Sequence, residues 1–418
     1  MNNKNVRLAV LIALGLVGFW GVIGVIERLF LGHELANYGS YIPWGLWVSA
    51  YIYFVGLSAG AFLLASLVYV FRIEGLARVA RPALLVSAIT LLMGLLSIWL
   101  DIGHMSRFYE IFTRPNFNSL MAWMVWLYTA YFLVVLAELW LEMRVDLAFW
   151  ARSSSRLAPL YRVLALGWRC PEDAAGIDEA RGQSLRGLRV LAAIGIPLAI
   201  AFHGGVGALF AGLMARAYWH TALYPILFLT GALVSGGGLL LAVVAMTDLG
   251  DGPEGEKTLR LLGRAVLGLL IFDLILEWSE ISIPAWYRMG EEYELFKTVL
   301  FGEYWYVFWI VHLLLGALVP LALLARRSVT RPAAGVAGAL IAITFMAVRL
   351  NVVVPGQILP SLEGLERAYV DHRLLFSYVP SAFEWSVFAF VVVLGLMLYY
   401  LGSRYLPISG ANPRPLHR

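Results

Sequence analysis

The sequence predicts an all-α protein that crosses a membrane about ten times as an integral helical bundle. Apolar runs of about 20 residues, the length that a helix needs to cross a bilayer, recur from one end of the chain to the other. Only 14% of the 418 residues are charged and 61% are hydrophobic. A soluble domain has about 25% charged residues, so the composition excludes an ordinary soluble protein.

These apolar runs predict ten spans within a single transmembrane domain, 1–418. In chain order the spans are 6–27, 46–71, 82–101, 119–143, 188–214, 219–246, 260–281, 303–325, 332–354 and 382–404. The first run follows Lys4 and Arg7 as in a signal peptide. We expect a retained helix, because Glu27 and Arg28 follow it instead of a small-residue cleavage site.

The third and seventh spans both end near acidic residues, and the second and sixth are both entered through Pro and Trp. This weak repeat, with an offset of four spans, predicts two four-helix bundles plus an extra pair of helices.

The basic residues predict the orientation of the bundle. The termini and the loops after spans two, four, six and eight hold 22 of the 31 Lys and Arg residues. Cytoplasmic loops are enriched in these residues, so both termini and the basic loop 144–187 are predicted to lie in the cytoplasm of a bacterial inner membrane. The segment 355–381 is then periplasmic, as a cap or partner platform or as a simple connector. The net charge of +4 needs no nucleic-acid partner, since it lies in such loops.

Ionisable residues inside the spans gather towards the predicted periplasmic side. A charge at mid-bilayer costs about 2.5 to 3.5 kcal/mol on insertion scales, so residues of this kind mark functional sites. We expect them to meet in one cavity. They are Asp101, His203, Asp273, Glu277, Glu280, His312, Arg349 and Glu384.

Asp101, His104 and Arg107 follow one another at a spacing of about one helical turn. They share a face if the third helix continues past Asp101. A carboxylate and an imidazole together can bind a polar ring and exchange protons. The alternative is an ion pair that anchors the helix at the membrane interface.

His203 stands beside Gly204, Gly205 and Gly207 in the fifth span. Glycines let a flat ligand approach the backbone, although they also suit close helix packing.

Asp273, Glu277 and Glu280 lie on one face of the seventh helix. Three ionised carboxylates would repel one another there, so the pattern predicts a proton relay with Arg349 as counter-ion, or an ion-paired strut. Glu138 lies nearer the cytoplasm. It serves an inward proton path or simply reaches to the interface.

Few cofactors are compatible with these residue types. Cys170 is the only cysteine, which excludes an internal disulfide and an iron–sulfur cluster held by this chain's own thiolates. His203 and His312 are the only histidines well inside spans, so a single bis-His haem is geometrically conceivable, but the histidine pairs of a two-haem protein are absent. We expect no haem and no metal site.

At several motifs the chain resembles the NrfD-like, or polysulfide reductase membrane-subunit, family. The matching stretches are Pro43–Trp47, Gly56–Gly60, Leu100–His104, Pro115–Ser119, Trp219–Gly236, Arg349–Asn351, Gly356-Gln357 and Pro380…Glu384. With ten spans it looks closest to the longer branch, which includes hydrogenase membrane subunits and DsrP-like proteins. His104 stands where relatives commonly have Arg.

The resemblance implies a haem-free subunit that reacts with menaquinone or ubiquinone near the outer face. Such subunits exchange electrons with a periplasmic ferredoxin-like iron–sulfur subunit. That partner relays them to a molybdopterin enzyme, a hydrogenase or a multihaem cytochrome. In this reading Asp101, His104, His203, Arg349 and Glu384 bind the quinone, whereas Asp273, Glu277, Glu280 and Glu138 move protons. The alternatives are a proton-coupled secondary transporter and a membrane anchor without catalytic residues.

Overall fold

The structure is a computed structural model that describes residues 3–288, 290–360, 362, 364–369, 371 and 373–408. These residues are mostly helical and contain no β-strand. The α-helices are α1 Asn3–Leu31, α2 Leu46–Phe71, α3 Ala77–Asp101, α4 Glu110–Thr113, α5 Leu120–Trp150, α6 Ala158–Leu164, α7 Ala174–Ala211, α8 Tyr224–Met246, α9 Gly252–Tyr287, α10 Gly290–Phe301, α11 Val319–Leu324, α12 Arg331–Val353, α13 Leu365–Ala368 and α14 Ala382–Tyr405. A π-helix, Val307–Leu318, leads directly into α11.

Nine helices of the described chain are long and apolar enough to cross a membrane, which confirms nine of the ten predicted spans. They are α1, α2, α3, α5, α7, α8, the π-helix with α11, α12 and α14. The seventh predicted span, 260–281, lies within α9. This helix has 36 residues, but ionisable residues recur along it. It is therefore not among the nine helices that are apolar enough to cross a membrane. Its crossing of the membrane stays a prediction.

Several helices run further than the predicted spans. The predicted loop 144–187 is largely helical, because α5 continues to Trp150, α6 follows, and α7 begins at Ala174. The Asp173 carboxylate accepts a hydrogen bond from the Gly176 nitrogen at 2.9 Å and caps the start of α7. The sixth span instead begins later than predicted, at Tyr224, where Pro225 occupies the first turn of α8.

The long helices pack as two groups of four and one pair. Helices α2, α3, α5 and α7 form the first bundle, in which neighbours along the chain contact one another and α7 closes back on α2. The second bundle consists of α8, α9, the π-helix with α11, and α12. The pair α1 and α14 packs against α3. This arrangement agrees with the prediction of two bundles and an extra pair.

The two bundles join where α2 meets α8 and α12. In the apolar part of α2, 83% of the residues are buried, whereas only 11% are buried in α1. Helix α1 therefore presents most of its surface to lipid or to another protein, and α2 is the central helix of the molecule.

Candidate functional site

A cavity of about 660 Å³ lies between the two bundles and α14. Its walls come from α2, α3, α8, the π-helix, α12 and α14, and they are mainly apolar, with residues such as Phe54, Met346 and Phe388. Trp385 and Tyr399 both line it, and they are 14 residues apart on α14, which corresponds to about 21 Å of helix. The cavity is therefore a long apolar slot that runs along the helices.

Polar groups line the cavity at the end of the bundle that is predicted to be periplasmic. The Tyr304 hydroxyl donates a hydrogen bond to the Tyr378 carbonyl at 2.8 Å and accepts one from the Tyr378 nitrogen at 3.1 Å. Asn351 also lines this end, and its side-chain nitrogen has no hydrogen-bond partner among the described residues. The slot thus combines an apolar length with one polar end.

Tyr378 connects the cavity wall to Glu384. Its hydroxyl accepts a hydrogen bond from the Leu46 nitrogen at 2.7 Å and donates one to Glu384 Oε1. Burial, together with the negative charge of Glu384, raises the pKa of the Tyr378 phenol. The phenol therefore keeps its proton and shares it with the carboxylate.

Glu384 is fully buried at the start of α14. Its Oε2 accepts hydrogen bonds from the Asn37 nitrogen at 3.0 Å and from the Ser381 nitrogen at 2.9 Å, and the Ser381 hydroxyl in turn caps the helix. This capping box fixes the carboxylate in one orientation next to Tyr378. Glu384 does not line the cavity itself.

Asp101 is the last residue of α3, within electrostatic range of Glu384. One of its carboxylate oxygens is buried without a partner in the described residues. Arg28 of α1 caps this end of α3, because its guanidinium donates to the carbonyls of Leu100 at 2.6 Å and Ile102 at 2.8 Å. The same guanidinium lies 2.9 Å from His33 Nε2. A helix of the extra pair thus holds the end of α3 in place.

His104 is exposed, and α3 ends three residues before it. Asp101, His104 and Arg107 therefore share no helical face, because α3 does not continue past Asp101. The residues after Asp101 turn away as a short 3-10 helix, Met105–Arg107.

A second polar cluster lies where α7, α8 and α12 meet. His203 is fully buried beside the Phe228 carbonyl, and neither ring nitrogen has a hydrogen bond of normal geometry to the described residues. The Arg349 guanidinium packs 4.6 Å from the Phe228 ring and 5.2 Å from that of Phe345. A Cβ on Gly56 would lie 3.4 Å from His203 and 3.7 Å from Arg349, so this glycine leaves space for both side chains.

The acidic residues of α9 extend this second cluster. Asp273 is buried, accepts a hydrogen bond from the Thr230 hydroxyl at 2.6 Å and lies within electrostatic range of Arg349. Glu277 lies 3.2 Å from His312 Nε2, which the π-helix directs towards α9. Glu280 accepts a hydrogen bond from the Thr221 hydroxyl at 3.2 Å. All three carboxylates thus have separate partners on neighbouring elements.

Glu138 lies on α5 in the first bundle. It is fully buried, and both carboxylate oxygens lack a hydrogen-bond partner among the described residues. Towards the predicted periplasm the Tyr131 hydroxyl lies 2.9 Å from Ser87, and towards the predicted cytoplasm Tyr69 donates to Glu142 at 2.8 Å. A buried acid without partners is costly and marks a functional candidate.

The structure divides the predicted residues into separate groups, so the expectation of one shared cavity is wrong. Asp101 and Glu384 belong to the outer group, whereas His203, Arg349, Asp273, Glu277, Glu280 and His312 belong to the group between α7, α9 and α12. None of the five residues predicted to bind quinone lines the cavity, and only Glu384 is bonded to a residue that does.

The two buried histidines have different partners, His203 beside Arg349 and His312 with Glu277. Across the described chain, no three or more His, Cys, Asp or Glu side chains are grouped to hold a metal ion.

Comparison with known proteins identifies the family. The family model "Polysulphide reductase, NrfD" matches residues 34–361, which is more than half of the chain. The chain belongs to the NrfD family. The NrfD match runs from the segment before α2 to the end of α12, so α1 and α14 lie outside it.

Relatives that match along their whole length are found among oxidoreductase subunits. The chain is 34% identical to a selenate reductase subunit of Mesobacillus selenatarsenatis, over 94% of this chain and 93% of that protein. It is 30% identical to a protein of Halobacterium salinarum named as a putative dimethyl sulfoxide reductase membrane subunit, over 95% and 92%. It is 26% identical to the Hdr-like menaquinol oxidoreductase integral membrane subunit of Archaeoglobus fulgidus, over 94% and 91%. This NrfD protein is therefore similar along its whole length to membrane subunits of reductase complexes.

Sequence reasoning missed five residues of the outer group, namely Arg28, His33, Tyr38, Tyr304 and Tyr378. Aromatic residues at a membrane interface are common, so nothing in the pattern distinguished these tyrosines. Arg28 contacts Leu100, which is 72 residues away in the sequence, and only the packing of α1 on α3 brings the two together.

Proposed function

We propose that this NrfD protein is the quinone-reactive membrane subunit of a bacterial respiratory oxidoreductase complex. It exchanges electrons and protons between the quinone pool of the inner membrane and a periplasmic iron–sulfur subunit. The observation that carries the proposal is the apolar slot that ends at Tyr304, Tyr378 and Asn351. Membership of a family with menaquinol oxidoreductase subunits among its relatives supports it.

The slot suits both parts of a quinone. Its apolar walls extend for about 21 Å along α14 and match an isoprenoid tail, which is itself apolar and is favourably buried away from water. At the polar end two phenols and the unpartnered Asn351 amide offer donors and acceptors to the ring oxygens. Ligand sites commonly combine such apolar walls with a few placed polar groups.

The proposal changes the roles assigned from the sequence. Tyr304, Tyr378 and Asn351 contact the quinone ring, and Glu384 acts through Tyr378. Asp101 takes part from the outer side of Glu384, whereas the exposed His104 has no role in binding the ring. His203 and Arg349 belong to the neighbouring cluster, where Arg349 balances the charge of Asp273. Asp273, Glu277 and Glu280 then store or pass protons beside the site.

Glu138 is proposed to take part in proton movement towards the cytoplasm. Between the cavity end of α2 and Glu138, the hydroxyls of Tyr51 and Tyr128 bond to each other, and Tyr131 bonds to Ser58 at 3.1 Å. These groups supply hydrogen-bonded steps in an otherwise apolar bundle.

Electrons must leave or enter through a partner. Cys170 is the single cysteine and is buried, so the chain cannot bind an iron–sulfur cluster through its own thiolates. We infer a ferredoxin-like iron–sulfur subunit on the predicted periplasmic face, near the polar end of the slot. The names of the selenate and dimethyl sulfoxide reductase relatives favour a terminal reductase as the catalytic subunit over a hydrogenase.

Filling the slot tests this function. Ala347 is buried, lines the cavity and has no side chain beyond Cβ, so Ala347→Phe occupies the space without changing charge. We expect the KM of the purified complex for menadiol or ubiquinol-1 to rise at least about tenfold, which corresponds to about 1.4 kcal/mol of lost binding. The matched control is Val336→Phe, on the exposed face of α12, which should behave as wild type.

Three outcomes distinguish the possible functions. Co-purification with an iron–sulfur protein, quinol-dependent turnover and its loss in Ala347→Phe support the proposal. Solute uptake by the isolated chain in liposomes, without quinol-dependent turnover, favours a transporter. Normal turnover in Ala347→Phe would place the quinone elsewhere.

A further inference from the structure

The α1–α14 pair lies outside the NrfD match, and a set of polar groups is located at its predicted periplasmic end. Helix α1 supplies Arg28, the segment after it supplies His33 and Tyr38, and α14 supplies Glu384. These residues meet around the end of α3, where Asp101 is located. The extra pair therefore adds ionisable groups directly beside the polar end of the slot.

One end of this set is connected to the slot by the bond between Tyr378 and Glu384. The Tyr378 oxygen accepts one hydrogen bond from the Leu46 nitrogen and donates its own hydrogen to Glu384. A phenol oxygen has a second lone pair that can accept from a further donor, and Tyr378 is one of the residues that line the cavity. A hydroxyl of quinol is such a donor.

The other end leads outwards. Arg28 donates to His33 Nε2, so the neutral ring carries its hydrogen on Nδ1 and donates it to the Tyr38 hydroxyl. The hydrogen of Tyr38 is then free for a carboxylate. Tyr38 lies within electrostatic range of both Glu384 and Asp101, and the Asp101 carboxylate is partly exposed and has one oxygen without a partner in the described residues. Hydrogen bonds support this position, because the neighbouring Asn37 nitrogen donates to Glu384, and His33 and Arg28 connect Tyr38 to the end of α3.

We propose that polar residues brought together around the α1–α14 pair form a proton exit from the quinone site, in the order Tyr378, Glu384, Tyr38 and Asp101. This inference rests on the proposed function. When a quinol O–H bond breaks, the Tyr378 oxygen takes that proton and gives its own to Glu384, while the electrons pass to an iron–sulfur cluster of the partner subunit. Glu384 then passes the proton through the Tyr38 hydroxyl to Asp101 and the periplasm. Reduction of quinone uses the same groups in the opposite order.

The charged and titratable groups that face Glu384 are few. Within the described residues they are Arg28 from α1, His33 and Tyr38 from the segment before α2, Asp101 from α3 and Tyr378 from the segment before α14, with Arg373 acting on His33. Arg28 places a positive charge beside these acids, where it compensates negative charge.

The test uses Glu384→Gln and Tyr378→Phe in the assembled complex. Glutamine at the third position of α14 preserves the capping box, so the fold is retained while the proton acceptor is lost. We expect kcat for quinol oxidation to fall about 100-fold with KM within about twofold of wild type, since proton transfer and not binding is affected. Release of protons to the medium, followed with a pH indicator in a single turnover, should slow in parallel in both variants and in Asp101→Asn.

Two controls match these changes in chemistry. Glu34→Gln alters an exposed acid in the same outer segment, and Tyr41→Phe alters a tyrosine that only stacks on Phe376. Both should retain the kcat of wild type. Wild-type kcat and proton release in Glu384→Gln and Tyr378→Phe would overturn the proton exit. If Ala347→Phe blocks turnover at the same time, the proposed function still holds. If the wild-type complex does not oxidise quinol at all, the proposed function itself fails.

Discussion

Among single residues, His33 gives the most direct test of the outer group. Burial, and then the positive charges of Arg28 and Arg373, lower the pKa of His33 to about 4, whereas an unfolded histidine has a pKa of about 6.5. Between these values the unfolded chain binds a proton that the folded chain does not. Stability is therefore complete above about pH 6.5 and is lost as the pH falls towards 4.

We expect the melting temperature of the detergent-solubilised protein to fall over this pH range, and the fall to be smaller in His33→Gln. His104→Gln removes an exposed histidine and serves as the control. Thermal melting measured at intervals of half a pH unit provides the comparison. An identical pH dependence in His33→Gln and wild type would show that His33 is not held in the neutral form.

The residue scale also shows where sequence reasoning succeeds. Arg349, Asp273, Glu138 and Glu384 are buried as expected for ionisable residues within apolar spans, because burial of such residues is visible in hydropathy alone. Their partners are not visible. Asp273 accepts a hydrogen bond from Thr230, 43 residues away, and Glu384 accepts one from Asn37, 347 residues away. No periodicity in the sequence predicts contacts at such separations.

At the scale of helices, the contact of α2 with α8 sets the distance between the two bundles. A Cβ on Gly60 would clash with the Ala232 carbonyl oxygen, and one on Gly236 would lie 2.6 Å from the Ala61 nitrogen. The two backbones touch because glycine has no side chain.

Gly60→Ala should therefore force α2 and α8 apart and destabilise the protein by about 1 to 3 kcal/mol, the usual cost of overpacking. Gly268→Ala in α9 is the control, since nothing lies within 4 Å of a Cβ there. Unfolding in mixed detergent micelles measures both variants. Equal stability of Gly60→Ala and wild type would mean that the helices separate at little cost.

The helices themselves show the limits of periodicity. The predicted spans locate every long helix, and the span 46–71 coincides with α2, but several other boundaries follow the ends of apolar runs and not the ends of helices. Helix α7 begins 14 residues before its span, because Asp173 caps it in a polar segment that hydropathy does not register. The predicted end of the third span at residue 101 is confirmed, although the spacing of Asp101, His104 and Arg107 also suited a longer helix.

Across the whole molecule, the arrangement in two bundles and a pair was predictable because the order of spans repeats. The separation of the ionisable residues into groups was not predictable from the sequence, because it depends on which helices contact one another. Contact of α14 with α3 brings Glu384 to Asp101, while contact of α8 with α9 and α12 gathers Asp273 and Arg349 in the second bundle. In the described chain only the outer group reaches the slot, through Tyr304 and Tyr378, which line it.

The orientation of the molecule decides whether protons from the slot reach the periplasm, and it remains a prediction from the distribution of Lys and Arg. After Cys170→Ser, single cysteines at Glu34 and at Arg169 report on the two sides, because both side chains are exposed. In intact spheroplasts a membrane-impermeant maleimide should label the cysteine at 34 and leave that at 169 unlabelled until the membrane is lysed. The reverse pattern would place Asp101 and Tyr378 at the cytoplasmic surface, and the proposed partner and proton exit would then both have to lie in the cytoplasm.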